Sequence, residues 1–335
     1  MVYTAADADA IFKAYNEAFY VADGNGGYYR NTTDGDRAAF WQQAEEMEMV
    51  LDVYERTTNA THLGLFRSLY GGFIQQHGTN WESNPYNDDL MWMVIACSRA
   101  CLLTGDPAFR SVAQSNFDLV FARAWSTNLG GGLYWSTTNT SKNACVNGPG
   151  AIAAYLLYQS AHDPSYLAKA TSLYQWERAT LFNATSGAVY DHIRTNGIVD
   201  YQPMSYNQGT FIGAAHLLGF TNDAALAASF TMNRLGVGGL LPQYGERSDG
   251  GGFNGICVRW LAKFMRERGR QATCLRWLQA NANAAWDVRR TSDNLSWCRW
   301  HEPTPLGRRF SWGCSSSVVV LQAVPAQTPG TSSGH

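Results

Sequence analysis

The sequence predicts an all-α fold in which helical hairpins stack on one another. Three observations predict it. Apolar residues recur every three or four positions over most of the chain, strand-like alternation is short and local, and one helix–turn–helix pattern occurs three times. Hairpins with an apolar face must stack to bury that face, so they form an open solenoid or a closed ring. In a ring, the long loops between hairpins would line a bowl at one end.

Eleven segments show the helical period, and strand-like alternation is limited to the stretches GGLYWS and GAVYDHI. In chain order the predicted helices are 7–20, 36–54, 88–103, 107–124, 148–162, 164–180, 206–218, 224–235, 255–267, 273–288 and 315–323. The loops between them hold much of the Gly, Trp, Tyr and Asn. Such residues at equivalent loop positions indicate one shared site.

The repeated pattern places an aspartate at each turn between two helices. Asp106, Asp163 and Asp223 are 57 and 60 residues apart, which fits a hairpin plus a long loop. An aspartate at the start of a helix accepts hydrogen bonds from free backbone N–H groups. We therefore predict that these three acids cap helices and have no role in catalysis.

Composition narrows the class of protein. Hydrophobic residues make up 45% of the 335 residues and charged residues 16%, so a large core is available. The net charge of -2 gives no basic field for nucleic acid or anionic membranes. No apolar run approaches the roughly 18 residues of a membrane span. We expect one domain over 1–325 and a flexible tail over 326–335, which is rich in Pro, Gly, Ser and Thr.

Cysteine usage predicts one disulfide and no metal centre. The count is seven, so at least one thiol is unpaired within the chain. Cys97 and Cys101 lie on one face of a predicted helix and are expected as buried small hydrophobes. Cys298 and Cys314 flank a loop-like segment and are the expected bridge. No Cys/His pattern has zinc spacing, so neither a metal nor a cofactor is expected.

Asp88 and Asp89 stand together in the stretch NPYNDDLMWM, where an apolar helix begins. In one interpretation they serve the helix, with Asn87 or Asp88 as the N-cap and the acids favoured by the helix dipole. In the other, both enter one cavity and cleave a glycosidic bond, which requires one ionised and one protonated carboxyl. A helix start can separate their pKa values, because N–H groups favour one anion while the other faces negative charge.

Catalysis by a serine or cysteine nucleophile is disfavoured. No G-x-S-x-G motif occurs, and the histidines are scattered without a motif around them. The GGG runs at Gly130 and Gly250 lack the Lys-Ser/Thr of a phosphate-binding loop.

Seven segments in order resemble glycoside hydrolase family 76, the α-1,6-mannanases and related fungal cell-wall enzymes. They are NPYNDDLMWMVIACSRACLLTGD, RAWSTNLGGGLYWS, SKNACVNGPGAIAAYLLYQ, GAVYDHI, SYNQGTFIGAAHLL, DGGGFNGICVRWL and LQANANAAWDVRR. The resemblance implies an (α/α)6 barrel of six helical hairpins with long loops lining a cleft at one end. It also implies endo-cleavage of α-1,6-mannan with retention of configuration. Asp88 would be the nucleophile and Asp89 the general acid/base, an order that fits if Asp88 caps the helix.

Twelve residues in the matched motifs are candidate contacts to the sugar chain. They are Asn84, Tyr86, Trp92, Trp135, Asn143, Asn147, Asp191, Tyr206, Asn207, Gln208, Asp249 and Phe253. Their aromatic rings could stack on sugar faces, and their amides can both donate to and accept from hydroxyls.

Ten of the twelve candidates have a structural alternative. Turn or loop bonding is the alternative for Asn84, Tyr86, Asn143, Asn147, Asp249 and Phe253, and Asn147 or Asn207 could instead cap a helix. Core packing is the alternative for Trp92 and Trp135, and an ion pair with Arg194 is the alternative for Asp191. Arg259 is expected in an ion pair at the edge of the core.

The expected partner is an α-mannan polysaccharide or oligosaccharide, bound by a monomer that is secreted or at the cell surface. Two other functions stay open: a mannan transglycosylase of cell-wall assembly, and a mannan-binding module without catalysis. The fungal relatives carry a C-terminal lipid anchor, whereas the end PAQTPGTSSGH has no hydrophobic attachment tail.

Overall fold

The computed structural model describes residues 2–24 and 26–327, and these residues form twelve α-helices. The helices are α1 (Ala5–Phe19), α2 (Phe40–Thr57), α3 (Ala60–His77), α4 (Asn87–Thr104), α5 (Pro107–Ala124), α6 (Ala144–Ala161), α7 (Pro164–Thr180), α8 (Ser205–Leu217), α9 (Thr221–Phe230), α10 (Phe253–Glu267), α11 (Gln271–Asp287) and α12 (Ser311–Ala323). The predicted all-α class is confirmed.

The even-numbered helices form a closed inner ring. Each of them packs against the next, and α12 packs against α2 to complete the circle. The odd-numbered helices lie outside, each antiparallel to an inner neighbour. This is the expected (α/α)6 barrel, and the open solenoid is excluded.

Burial explains which helices lie inside. Over α6, thirteen of eighteen residues are buried, whereas α1 buries six of fifteen. A helix that is apolar all round must lie in a core, while one with a single apolar stripe lies at the surface. Close contact between inner helices also requires glycine: a Cβ on Gly209 of α8 would lie 2.5 Å from the Cα of Cys257 on α10.

The two ends of the chain form the sixth hairpin. The first helix, α1, packs against α12 rather than pairing with α2. The Tyr3 hydroxyl donates to the carbonyl of Val324, and Gln322 Nε2 donates to the carbonyl of Ala8 over 2.7 Å. The ring is therefore closed by contacts between residues more than 300 positions apart.

Helix α3 is the element that the periodicity did not predict. It carries a Gly71–Gly72 pair and buries only four of its eighteen residues, so its apolar stripe is faint. Helix α6 begins four residues earlier than predicted and holds Pro149 in its interior. The proline has no N–H to donate to the carbonyl of Cys145.

Two of the three turn aspartates cap helices as predicted. Asp106 accepts from the N–H of Ala108 at the start of α5, and Asp163 does the same for Ser165 at the start of α7. Asp223 does not cap α9, where the N-cap is Phe220. Its carboxylate instead binds Tyr174 and Arg178 on α7, so it is structural for another reason.

Five short strands lie in the loops. β1 (Tyr20–Asp23) and β2 (Gly26–Tyr29) form a hairpin, while β3 (Ser141–Asn143), β4 (Tyr190–Arg194) and β5 (Val199–Pro203) form an antiparallel sheet in that order. The stretch GAVYDHI supplies most of β4. The stretch GGLYWS makes only isolated bridges, at Leu133 and Ser136.

The predicted disulfide is wrong, because all seven cysteines are free and buried. The Cys298 thiol donates to the carbonyl of Tyr244 over 3.4 Å instead of joining Cys314 on α12. Cys97 and Cys101 are buried on α4 as predicted.

Among the described residues, no helix combines the length and apolar character needed to cross a membrane. The predicted tail falls mainly on residues 328–335, which lie outside the described part of the chain.

Candidate active site

The N-terminal ends of the six inner helices meet at one end of the barrel. The outer helices carry the chain back, so the inner helices all run the same way. The first or second residue of each inner helix therefore faces the same opening. These residues are Trp41, Asp88, Cys145, Tyr206, Phe253 and Trp312. Helix N-termini carry partial positive charge, so this end favours negative groups.

Asp88 and Asp89 lie in the first turn of α4, side by side at this opening. The N-cap is Tyr86, so the capping role considered for Asn87 or Asp88 is excluded. Asp88 Oδ2 accepts from the thiol of Cys145 over 3.5 Å, while Asp88 Oδ1 is buried without a hydrogen-bond partner among the described residues. Asp89 Oδ2 accepts from Asn84 Nδ2 over 2.9 Å.

Burial raises the pKa of both acids. It raises the pKa of Asp88 to about 7, helped by the charge of Asp89, and the pKa of Asp89 to about 6, helped by the charge of Asp249. Near neutral pH the pair therefore tends to hold one proton, as glycosidic cleavage requires. Asp88 does not cap the helix, so the condition under which it would be the better-stabilised anion is not met.

The loop before the acids is held by Arg123, at the C-terminal end of α5. Its guanidinium donates to the carbonyls of Glu82 and Asn84 and to the side chain of Asn87. Asn87 is fully buried and also donates to the carbonyl of Tyr134. One cation thus fixes the backbone on both sides of the turn into α4.

Aromatic rings form one wall of the opening. Tyr206 and Phe253 stack with ring centroids 3.8 Å apart, and Trp92 lies 6.4 Å from Tyr206. Trp41 contacts Trp92, Phe253 and Trp312, the last at 4.5 Å. Trp92 is almost fully buried, so it supports the wall from behind, as its core-packing alternative predicted.

A second polar group lies on the strands beside the acids. Asp191 Oδ1 accepts from Asn207 Nδ2 over 3.0 Å, and Asp191 Oδ2 lies 2.8 Å from His192 Nδ1. The ion pair considered between Asp191 and Arg194 is absent. A β-bulge between Tyr190 and His192 allows consecutive side chains to meet, although strand neighbours normally face opposite ways.

Asp191, His192 and Asp200 bring three potential metal ligands within 4.8 Å of one another. Asp200 is exposed, and both oxygens of Asp191 already contact protein groups. We therefore assign no metal to this group.

Two of the predicted sugar contacts are structural instead. Asn147 is fully buried, and its amide bonds both backbone groups of Leu133, accepting over 2.8 Å and donating over 3.1 Å. Gln208 is also fully buried and bonds the backbone of Gly187 and Val189. Neither amide has bonding capacity directed at the opening, so loop bonding is their role.

Asn207 is also fully buried, whereas Tyr86, Asn143 and Asp249 are at least partly exposed at the opening. Tyr86 is 43% exposed and lies against Trp135, with ring centroids 5.1 Å apart. Asn143 is half-buried at the start of α6 and accepts from Ser141. Asp249 is exposed on a short 3-10 turn that ends at Gly252.

Sequence reasoning missed four residues of the site or its support. They are Trp41, Arg123, Cys145 and Trp312. The recurring signal, a large or reactive side chain at the first or second position of each inner helix, would have identified Trp41, Cys145 and Trp312.

A cavity of about 930 Å³ lies at the opposite end of the barrel, among the C-terminal ends of the inner helices. Arg99 and Arg259 at its base bond Glu48, Asp52 and Glu45 in a buried network, which confirms the ion pair expected for Arg259. The acids outnumber the arginines here, and the network joins α2, α4 and α10. We therefore interpret it as structural and place the candidate site at the end that carries Asp88 and Asp89.

Comparison with known proteins supports this choice. Residues 3–328 match the family described as glycosyl hydrolase family 76. The fold is similar to an α-1,6-mannanase, GH76A of Salegentibacter sp. HEL1_6, solved as an inactive variant with two consecutive aspartates replaced by asparagine, in complex with α-1,6-mannotriose. The TM-score is 0.88 at 30% identity, over 95% of this chain and 98% of that one.

A second solved structure, Dfg5 of Chaetomium thermophilum in complex with glucosamine, shares the fold. Its TM-score is 0.73 at 15% identity, over 88% of this chain and 83% of that one. No curated protein matches the chain in sequence.

Proposed function

The chain belongs to glycosyl hydrolase family 76, and from this premise we propose that it is an endo-acting α-1,6-mannanase that retains anomeric configuration. One observation carries the proposal: consecutive acids, both with raised pKa, stand where six inner helices open. Further support comes from the similar α-1,6-mannanase, which was made inactive at two consecutive aspartates and binds α-1,6-mannotriose.

In the first step, an oxygen of Asp88 attacks the anomeric carbon while Asp89 gives its proton to the glycosidic oxygen. The bond to the leaving chain breaks, and a mannosyl–Asp88 ester forms. In the second step, the Asp89 carboxylate takes a proton from water, whose oxygen attacks the anomeric carbon and releases Asp88. Two inversions at one carbon retain its configuration.

The surroundings suit these roles despite the higher pKa of Asp88. The Cys145 thiol donates to Asp88, and a hydrogen bond to a carboxylate favours the ionised form that a nucleophile needs. The charge of Asp249 acts on Asp89 and favours its protonated form, which a general acid needs.

Aromatic and amide groups around the acids would hold the sugar chain. Tyr86 and Trp135 lie on one side, and the stacked rings of Tyr206 and Phe253 form the wall on the other. Asp191, oriented by Asn207, offers a carboxylate to a pair of hydroxyls. Because a polysaccharide does not cross a membrane, the proposal places the protein outside the cell or at its surface, which fractionation of producing cells tests.

Incubation with linear α-1,6-mannan tests the reaction. We expect oligosaccharides of intermediate length early in the digest, with the α-anomer appearing first by NMR. Mannose as the sole early product would contradict endo-cleavage, and an initial β-anomer would contradict retention. Longer hybrid chains with an added mannobiose acceptor would indicate a transglycosylase, and binding without product would indicate a binding module.

Replacement of each acid tests the assigned residues. We expect Asp88→Asn and Asp89→Asn each to lower kcat by at least roughly 1000-fold while the helical CD spectrum is kept, because each removes a reacting group. Asp118→Asn, on the outer face of α5, is the matched control and should stay within about twofold of the wild-type kcat. Near-normal turnover in either acid variant would refute its role.

A further inference from the structure

Cys145 connects Asp88 to the aromatic wall. It is the second residue of α6, and its sulfur lies 3.5 Å from Asp88 Oδ2. Tyr206, from the second position of α8, lies close enough to this thiol for the two groups to influence each other's pKa. The side chain of Cys145 is buried, with 4% of its surface exposed. Side chains from three inner helices therefore meet at their N-terminal ends.

The thiol stays protonated and can act only as a donor to the acid. Burial raises the pKa of Cys145 well above its usual range, and the charges of Asp88 and Asp191 raise it further. A thiol is a weak hydrogen-bond donor. It can therefore fix the orientation of a carboxylate while stabilising its negative charge very little.

This contact gives the two oxygens of Asp88 different surroundings. Oδ2 faces the thiol, whereas Oδ1 has no hydrogen-bond partner among the described residues. Reorientation of the carboxyl would exchange the two oxygens and lose this distinction.

We propose that Cys145 is a positioning residue, whose thiol fixes the orientation of the Asp88 carboxyl at the opening. The inference rests on the proposed function, in which Asp88 is the nucleophile. Cys145 does not touch the sugar and takes no part in covalent chemistry.

Charged and titratable groups face Asp88 from each neighbouring element. They are Asp89 on α4, Cys145 on α6 and Tyr206 on α8, while Asp191 on β4 acts on Cys145 and Tyr206. A change at Cys145 alone leaves the others in place, so a shift in pH dependence would report on this one contact.

Cys145→Ala and Cys145→Ser separate orientation from donor strength. We expect Cys145→Ala to lower kcat about tenfold with KM nearly unchanged, because one hydrogen bond is worth up to roughly 1.5 kcal/mol. Cys145→Ser should keep kcat within about threefold of wild type, because its hydroxyl restores the bond. The hydroxyl is also the stronger donor, so the acid-side pKa in the kcat/KM profile should fall by about half a unit or more. Cys274→Ala, also buried but on the outer helix α11, is the matched control with an unchanged profile.

Melting temperature provides a readout that needs no substrate. A stronger donor favours ionised Asp88. The melting temperature of Cys145→Ser minus that of wild type should therefore be more positive at pH 8 than at pH 4. This pH-dependent gain should vanish in the double variant that also carries Asp88→Asn. If wild type does not cleave mannan, the proposed function fails, while the melting series still decides whether the thiol acts on Asp88.

Two results would overturn the inference. The first is a Cys145→Ala variant with wild-type kcat and pH profile. The second is a Cys145→Ala variant that loses both activity and melting temperature with an unchanged pH profile, together with a Cys145→Ser variant that does not restore the activity. That pattern would show that Cys145 only fills space.

Discussion

At the scale of single residues, the main feature is two carboxyls whose surroundings oppose their ionisation. Asp88 and Asp89 sit at a helix N-terminus, which favours anions, yet burial and the negative charge of a neighbouring carboxylate outweigh this and raise both pKa values. Such a site is useful for catalysis because it keeps one proton near neutral pH. It also costs stability, because the folded protein must ionise a buried group that is solvated in the unfolded chain.

This cost predicts a pH-dependent effect of Asp88→Asn on stability. The folded pKa of about 7 lies above the unfolded value, so the wild-type contribution is favourable below pH 4 and is lost as pH rises toward 7. We expect the variant to be more stable than wild type at pH 8 by roughly 1–3 kcal/mol, and the gain to disappear near pH 4. Urea unfolding at both pH values measures it. A gain of equal size at both pH values would show that titration of Asp88 is not the cause.

At the scale of elements, the geometry of the site depends on how each inner helix begins. Helix α4 starts without a side-chain cap, and its entry loop is fixed instead by Arg123 from α5. Helix α6 starts after β3, and Asn147 on its first turns secures the loop that carries Leu133. Polar side chains from neighbouring elements therefore set the position of each helix start, and with it the position of its second residue.

Loss of the Arg123 contacts should displace the acids and so reduce activity strongly, while the loss of stability should be modest. We expect Arg123→Met to lower kcat/KM by about 10–100-fold, because small misplacement of reacting groups is costly. The loss of unfolding free energy should be about 1–3 kcal/mol, from the carbonyls left without a donor. Arg110→Met is the control on the same helix, since Arg110 bonds the carbonyl of Ser160 far from the site. Equal losses of activity in both variants would contradict a positioning role for Arg123.

At the scale of the whole molecule, the ring is completed by residues from its two ends. Gln322 on α12 donates to the carbonyl of Ala8 on α1 and accepts from Arg56 on α2 over 2.6 Å. Such contacts join distant parts of the chain, so their formation costs loop-closure entropy. The seam between α12, α1 and α2 therefore links the stability of the last helix to that of the first two.

Gln322→Ala should weaken this seam. We expect a loss of roughly 1–3 kcal/mol in the free energy of unfolding, because a buried carbonyl and a guanidinium N–H lose their partners. Mannan cleavage should change little, since the seam lies at the end of the barrel opposite the acids. Gln159→Ala, an exposed position on α6, is the control and should be neutral. Unchanged unfolding of Gln322→Ala would show that water replaces these bonds without cost.

The sequence predicted the helices whose apolar pattern was strong. It missed α3, where the paired glycines and a narrow buried face weaken the period. It could not distinguish an open solenoid from a ring, because closure depends on contacts between α12 and both α1 and α2. The resemblance of the ordered motifs to family 76 predicted the ring, and the contacts of α12 with α1 and α2 confirmed it.

The sequence by itself determined the helical class, the adjacent acids and the aromatic loop segments around them. Tertiary structure alone decided which side chains reach the opening. It placed Trp41, Cys145 and Trp312 there, and it buried Asn147 and Gln208 in hydrogen bonds to the loop backbone. The physical reason is that helical period and residue chemistry are local, and can be read in a window of a few turns. Burial, hydrogen-bond partners and pKa depend on residues that are far apart in the chain and meet only when the ring closes.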